Sequence, residues 1–282
     1  MEVLVTGATG FIGNHVISRL LSRGHRVIAV ARDIDRARRQ NWFDAVQFIS
    51  CDIHHMTTGE IERFERPDAM IHLAWPGLPN YKSLFHFEDN LLADYFFLKA
   101  MVARGVTHLL VAGTCFEYGI QNGYLSEDLS ARPVVPYALA KDTLRRFLEQ
   151  LRQETPFVLQ WARLFYLYGP GQSPASLLAQ LERAIANRDA MFNMSAGEQL
   201  RDYLPVEGVA ERLVTLLEHS ECDGIYNICS GEPISIRRLV ERHLASLNGK
   251  IQLNLGYYPY PDYEPMAFWG NPGKFHDCCK MG

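Results

Sequence analysis

Three residues make the strongest chemical statement in this sequence. Tyr137 and Lys141 stand four positions apart just after Pro136, so a helix that starts there sets them on one face. An ammonium near a phenol stabilises the phenolate and lowers the tyrosine pKa. Such a tyrosine suits proton transfer at a carbonyl or an alcohol near neutral pH. Y-x-x-x-K alone is common by chance on helices. The third residue sharpens it: Thr114 ends the apolar run that begins at Leu109. A strand there would place Thr114 at its carboxyl end, where open α/β sheets bind ligands.

The elements that must position these residues begin at the N-terminus. Val3 to Val5 is an apolar run that ends in a Gly-rich turn, Thr6-Gly-Ala-Thr-Gly-Phe-Ile-Gly13. An amphipathic segment follows, with Phe11, Ile12, Val16, Ile17, Leu20 and Leu21 on its apolar face. The pattern reads strand, turn, helix. Gly7 can adopt a backbone angle that other residues avoid, Gly10 lets the chain approach a ligand closely, and Gly13 lets the helix pack on the strand. The free N–H groups at the helix start then face a diphosphate. The spacing is G-x-x-G-x-x-G, not the usual G-x-G-x-x-G.

The second strand, Arg26 to Ala31, ends without the acidic residue that an NAD-binding unit places there for the ribose 2′-hydroxyl. Arg32 follows, with Arg36, Arg38 and Arg39 close behind. A guanidinium holds a 2′-phosphate by two prongs, so Arg32 and Arg36 point to NADP(H) in preference to NAD(H). Arg38 and Arg39 read as a solvated helix face. A third strand over 46–51 leads into Asp52 and Ile53, expected near the adenine. A fourth over 69–74 leads into Leu73, Ala74 and Trp75, expected beside the phosphates. His72, inside that apolar run, reads as a core histidine. The loop 75–87 is rich in Pro, Gly and aromatics and could border a substrate. Helices are expected over 90–104, 177–187, 209–219 and 237–247, the last with a Ser235 cap, and a strand over 225–229. Strands alternating with helices imply a parallel sheet.

Composition bounds the rest. The 282 residues are 48% apolar and 21% charged with net charge −4, so no basic field suggests nucleic acid. No apolar run reaches membrane-spanning length. The N-terminus runs directly into a strand without a signal-peptide pattern. Six cysteines (Cys51, Cys115, Cys222, Cys229, Cys278, Cys279) form no C-x-x-C pair. They read as reduced thiols of a cytoplasmic protein, with neither a disulfide frame nor a metal site.

Over nearly its whole length the chain resembles the extended short-chain dehydrogenase/reductase family, the nucleotide-sugar epimerase/dehydratase group. The resemblance rests on Thr6 to Gly13, His72-Leu-Ala74, Thr114 with Tyr118-Gly119, Tyr137/Lys141, Arg163 to Pro170, Arg201 to Val206 and Tyr226 to Gly231. It implies a Rossmann-type, doubly wound parallel sheet with a smaller C-terminal substrate lobe. Residues 1–165 and about 205–230 would form the cofactor domain; 166–204 and 231–282 would form the lobe. It implies Tyr137 as acid/base, Thr114 holding the substrate oxygen, and Lys141 tuning Tyr137 and binding the nicotinamide ribose. Gly7, Thr9, Gly10, Phe11, Ile12, Gly13 and Phe165 would contact the cofactor, and Phe116, Tyr166 and Arg201 the substrate, with Arg201 on its diphosphate. A homodimer through the stretches 90–104 and 138–153 is expected on the same ground.

Within that group, 4,6-dehydratases usually carry an Asp-Glu pair after the catalytic Thr, where this chain has Cys115 and Phe116. Glu117 comes one place too late. The 3,5-epimerase-reductases carry a Cys two residues after the catalytic hydroxyl, and here that residue is Phe116. A reductase acting on the 4-keto group of a nucleotide-linked 6-deoxyhexose (dTDP-, CDP- or GDP-linked), in deoxysugar and surface-polysaccharide biosynthesis, is the favoured expectation. An NAD-dependent 4-epimerase is the alternative, and a non-catalytic NADP-binding sensor or assembly factor the alternative of another class.

Overall fold

In the computed structural model, which describes residues 1–56 and 59–280, strands and helices alternate as expected. The first half runs β1 (Glu2–Thr6), α1 (Phe11–Ser22), β2 (Arg26–Ala31), α2 (Ile34–Arg38), β3 (Gln47–Ser50), β4 (Ala69–His72), α3 (Leu91–Ala103), β5 (His108–Thr114), β6 (Gly123–Leu125) and α4 (Pro136–Glu154). The second half runs β7 (Val158–Leu164), β8 (Tyr166–Tyr168), α5 (Leu177–Ala186), β9 (Met191–Asn193), β10 (Leu200–Pro205), α6 (Val206–Glu218), β11 (Gly224–Ile228), β12 (Pro233–Ser235), α7 (Ile236–Ser246), β13 (Gln252–Asn254), β14 (Phe268–Gly270) and α8 (Gly273–Cys278).

Seven strands form one parallel sheet in the order β11-β7-β5-β4-β1-β2-β3. Its strands are nearly continuous apolar runs, as strands buried on both faces must be. On one face α1 and α6 pack Val16, Ile17, Leu20, Leu213 and Leu217 against Val3, Val5 and Ala29. On the other, α3 and α4 pack Phe97, Leu98, Met101, Leu144 and Leu148 against Leu4, Met70, Leu109 and Trp161. Each such side chain contributes about 1.5–3 kcal/mol on leaving water. The chain reverses direction in the strand order at β1, so the carboxyl ends of β1 and β4 flank the crevice where such sheets hold ligands.

Short sheets accompany the large one: β12-β10-β8, β13-β9 and β14-β6. Leu181 and Ala184 of α5 and Val240 of α7 pack with Phe192 of β9 and Met194 just after it. Ser235 caps α7 by accepting from Arg238 N, as its position before the helix foretold. In the C-terminal segment 256–280, Phe268 and Phe275 are buried and β14 pairs with β6, while Tyr257 and Tyr258 stay exposed. The last two residues of the expected lobe, 281–282, lie outside the described residues.

One expectation is overturned. Cys222 and Cys278 form a disulfide, with Cα atoms 5.9 Å apart across a sequence separation of 56. No local spacing announces it: α8 docks on β11 and carries Cys278 to the turn that precedes that strand. Cys51, Cys115, Cys229 and Cys279 are free and buried. Among the described residues no helix is long and apolar enough to cross a membrane.

Candidate active site

The Gly-rich turn between β1 and α1 is built as its spacing demands. Gly7 has φ +69°, and a Cβ on it would lie 2.9 Å from Ala74 N, so only glycine fits there. At Gly13 a Cβ would lie 2.3 Å from Gly7 O, which makes this glycine the packing contact between helix and turn. Gly10 is the N-cap of α1 in extended backbone, with no side-chain cap bond. The first N–H groups of α1 therefore face outward as an anion-binding end.

Around this turn lies a pocket of about 240 Å³ lined by Gly7, Thr9, Gly10, Arg32, Arg36, Asp52, Ile53, Leu73, Ala74 and Trp75. Ten sequence-predicted residues thus converge from four strand ends. Phe11, Ile12 and Gly13 belong to the helix start beside it; Tyr137, Lys141 and Phe165 are not in its wall. Phe165 is buried among Tyr118, Cys229 and Phe268. Arg32 is 67% exposed, 3.9 Å from the Asp52 carboxylate. Arg38 is exposed and pairs with Asp35, a solvated face as expected.

The pocket wall also holds Thr6 and His54, which sequence reasoning missed. They end a buried relay. The Thr6 hydroxyl accepts from Leu73 N (3.1 Å) and Ala74 N (3.3 Å) and lies 3.0 Å from His72 Nδ1. Its single proton therefore goes to Nδ1, which leaves the His72 proton on Nε2, 3.0 Å from Asp94 Oδ1. His54 Nε2 meets the same oxygen at 3.0 Å. His72 is fully buried, a core histidine as read, and it orients the two loops that face the turn. Asp94 carries no sequence signal, because its partners are 22 and 40 residues away.

The second centre lies where β5 and α4 meet. Thr114 ends β5, and Pro136 at the start of α4 sets Tyr137 and Lys141 on the inner face. Lys141 is 2% exposed; its Nζ donates to Ala112 O (2.8 Å) and lies 3.9 Å from the Trp75 ring centre. Burial pulls its pKa down from 10.5 to about 8, against the raising pull of Asp94 and Glu117. Tyr137 sits in an aromatic cage of Trp75, Tyr81 and His86, with centroids at 6.0, 5.5 and 5.3 Å. Burial pushes its hydroxyl well above 10; Tyr81 adds to this and the Thr114 hydroxyl opposes it. The Lys141 ammonium is turned to a main-chain carbonyl and an indole face, and desolvation of the phenolate is the largest influence on Tyr137.

Glu117 is structural. Its carboxylate accepts from Thr114 N (2.8 Å), Trp161 Nε1 (3.0 Å) and Arg163 Nε (2.8 Å), fully buried. It caps the single turn Cys115–Tyr118 and holds Thr114 in place. Beside it Cys115 is buried, with its thiol pushed far up by desolvation. Neither group can serve as a second acid/base. Phe116 packs edge-on to Tyr81 and Tyr166 (5.0 and 6.2 Å), and Phe116 also packs against the Tyr137 cluster. Arg201 is 1% exposed and thus no surface arginine. Its guanidinium pairs with Glu264 at 2.7 Å. Tyr81 and His86 belong to the loop 75–87 expected to border a substrate, though neither was singled out there, and Tyr263 and Glu264 carry no periodic pattern that would mark them.

A strand–turn–helix anion cradle beside a strand-end Thr and a helical Tyr/Lys pair define the class of extended short-chain dehydrogenases/reductases. The model of the NAD dependent epimerase/dehydratase family matches residues 3–229, and the chain belongs to that family. It is 29% identical over 272 residues to a dTDP-6-deoxy-L-talose 4-dehydrogenase (NAD(+)) of Aggregatibacter actinomycetemcomitans, covering 96% of this chain and 99% of that one. Among solved structures it is similar to MoeE5 in complex with UDP-glucose and NAD (25% identity, TM-score 0.85, 99% and 92% of the two chains covered). The fold is shared with UDP-glucuronic acid 4-epimerase of Bacillus cereus in complex with UDP-glucuronic acid and NAD (23% identity, TM-score 0.87, 100% and 94% covered).

Proposed function

We propose that this chain reduces the 4-keto group of a nucleotide-linked 4-keto-6-deoxyhexose, preferring NADPH. The observation that carries this reading is the state of Tyr137. It is a buried phenol beside Thr114 whose pKa burial raises, and the neighbouring Glu117 carboxylate is engaged by Thr114 N, Trp161 and Arg163 instead of standing free as a second acid or base.

The pocket fits a dinucleotide on its own features: the close approach at Gly7, the uncapped start of α1 and the wall from Arg32 to Trp75. A bound nicotinamide cofactor would supply the hydride. Phe11, Ile12 and Gly13 would hold its diphosphate through backbone N–H groups, with Gly10, whose own N–H donates to Gly7 O (2.9 Å), letting the chain approach closely, and Asp52 and Ile53 would flank its adenine. The Thr114 hydroxyl orients the substrate oxygen at C4. Tyr137, kept neutral by burial, gives its proton to the alkoxide as charge develops there. Lys141 holds a positive charge below the same point. A tyrosine held in the acid form suits reduction better than oxidation. The 4-dehydrogenase relative is named for redox chemistry at the same numbered carbon.

Arg32 and Arg36 on the pocket wall, with Ala31 in place of an acid, support NADPH. NAD in the names of the relatives supports the second reading, an NAD-dependent 4-epimerase. The test is to mix purified protein with dTDP-4-keto-6-deoxyglucose and NADPH or NADH, following absorbance at 340 nm. NADPH consumption with a kcat/KM at least about tenfold above that for NADH is expected, and Arg32→Ala should erase the preference. NAD retained on the purified protein with no net consumption would replace this reading by the epimerase. We further propose a homodimer through the exposed apolar side chains Leu92 and Phe96 of α3 and Leu139 and Phe147 of α4.

A further inference from the structure

Between β13 and β14 the chain crosses the mouth of the reaction centre. Three consecutive residues of this strap each grip something different. Asp262 pairs with Lys82 of the loop after β4 at 2.8 Å, both exposed. The Tyr263 ring lies 6.1 Å from those of Tyr81 and Phe116, the side chains stacked before Tyr137. The Glu264 Oε2 atom accepts from Arg201 Nε (3.2 Å) and Nη2 (2.7 Å).

Arg201 itself cannot move far. Its Nη1 donates to Leu200 O (2.8 Å) and Met266 O (3.3 Å), and its plane lies 4.7 Å over Phe268. One edge of the guanidinium is therefore fixed to the main chain, and the other, Nε with Nη2, is the edge that grips an anion by two prongs. Glu264 now fills that edge. The carboxylate rides on an irregular segment anchored at Asp262 by an exposed ion pair, which contributes little. Withdrawing it without replacement would leave a buried, unpaired guanidinium, which is strongly unfavourable. Exchange for another anion avoids that cost.

We propose that Glu264 is a specificity residue: it occupies the diphosphate-binding edge of Arg201, so that only a ligand bearing an anion able to displace it lifts the strap and uncovers Tyr137. This rests on the reading of Arg201 as the diphosphate partner. Tyr263 moves with Glu264, so displacement at Arg201 opens the aromatic stack over the catalytic tyrosine. An uncharged sugar has no means of starting that exchange.

The experiment is calorimetric titration of the 282-residue chain and its Glu264→Gln variant with dTDP and with UDP. Glu264→Gln keeps the shape and removes the competing charge, so nucleoside diphosphate binding should tighten by about tenfold, whereas loss of a merely structural contact would weaken it or leave it unchanged. Equal or weaker binding by the variant overturns the proposal while leaving Arg201 as diphosphate partner. No binding of either nucleotide by either protein overturns both. Should Glu264→Gln fail to fold, Glu264→Ala serves in the same assay: added formate, refilling the edge, should weaken its dTDP binding. Insensitivity to formate would sink the idea.

Discussion

Lys141 permits a sharp test of whether the reaction centre is as dry as it looks. Its side chain is 2% exposed, and burial brings its pKa from the ordinary 10.5 to about 8. In the folded state the charged form is thus disfavoured, and the unfolded chain binds the proton more tightly between those two values. Where the unfolded state holds more protons, stability rises with pH. The penalty is fully present below pH 8 and is relieved as pH climbs toward 10.5. It amounts to about 3 kcal/mol in all, of which about 2 is recovered by pH 9.5. Lys141→Met removes the titration but keeps the length of the side chain. Urea unfolding of both proteins at pH 7.0 and 9.5 gives the quantity free of other groups. The wild type should gain about 2 kcal/mol over the variant between the two pH values. At pH 7 the variant should be at least as stable as the wild type, since the lost Ala112 bond and Trp75 contact contribute about 1–2 kcal/mol together. It should also lose turnover. Parallel stability curves, within about 0.5 kcal/mol, would refute the reasoning: Lys141 would then be hydrated or paired in both states.

Other consequences are open to measurement. Tyr137→Phe should keep cofactor affinity, read by fluorescence titration, and lose at least about a hundredfold in kcat; near-normal turnover would remove Tyr137 from the chemistry. Glu117→Gln breaks the buried pair with Arg163 (2.8 Å) and should cost about 3–5 kcal/mol in urea unfolding, although Glu117 touches no reacting atom. If Phe96, 61% exposed on α3, lies in a self-association face, Phe96→Glu should yield monomers by sedimentation at concentrations where the wild type is dimeric. A monomeric wild type would dispose of that proposal.

The parts of the molecule that could be read from the chain are those whose function is written in neighbouring residues. Gly7, Gly10 and Gly13 act within one turn, and Tyr137 and Lys141 share one helical face, so spacing alone placed them. Strand ends followed from apolar runs, which is why Arg32, Asp52 and Leu73 converge on one pocket as expected. Even the negative conclusion about Glu117 was local: one position decides whether a carboxylate faces the ligand or the core.

What tertiary structure alone decided involves partners far apart in the chain. Arg201 meets Glu264 across 63 residues, Cys222 meets Cys278 across 56, and Asp94 serves one histidine at the end of β4 and another in the loop after β3. The same holds for the tyrosine pKa. The sequence put an ammonium one turn from a phenol, but only packing decided that Trp75, Tyr81 and His86 would exclude water there. Local spacing sets which groups can share a face, because backbone geometry is periodic. It does not set the dielectric around them or the counter-charge that seats itself on them, because those come from segments that meet only when the chain has folded.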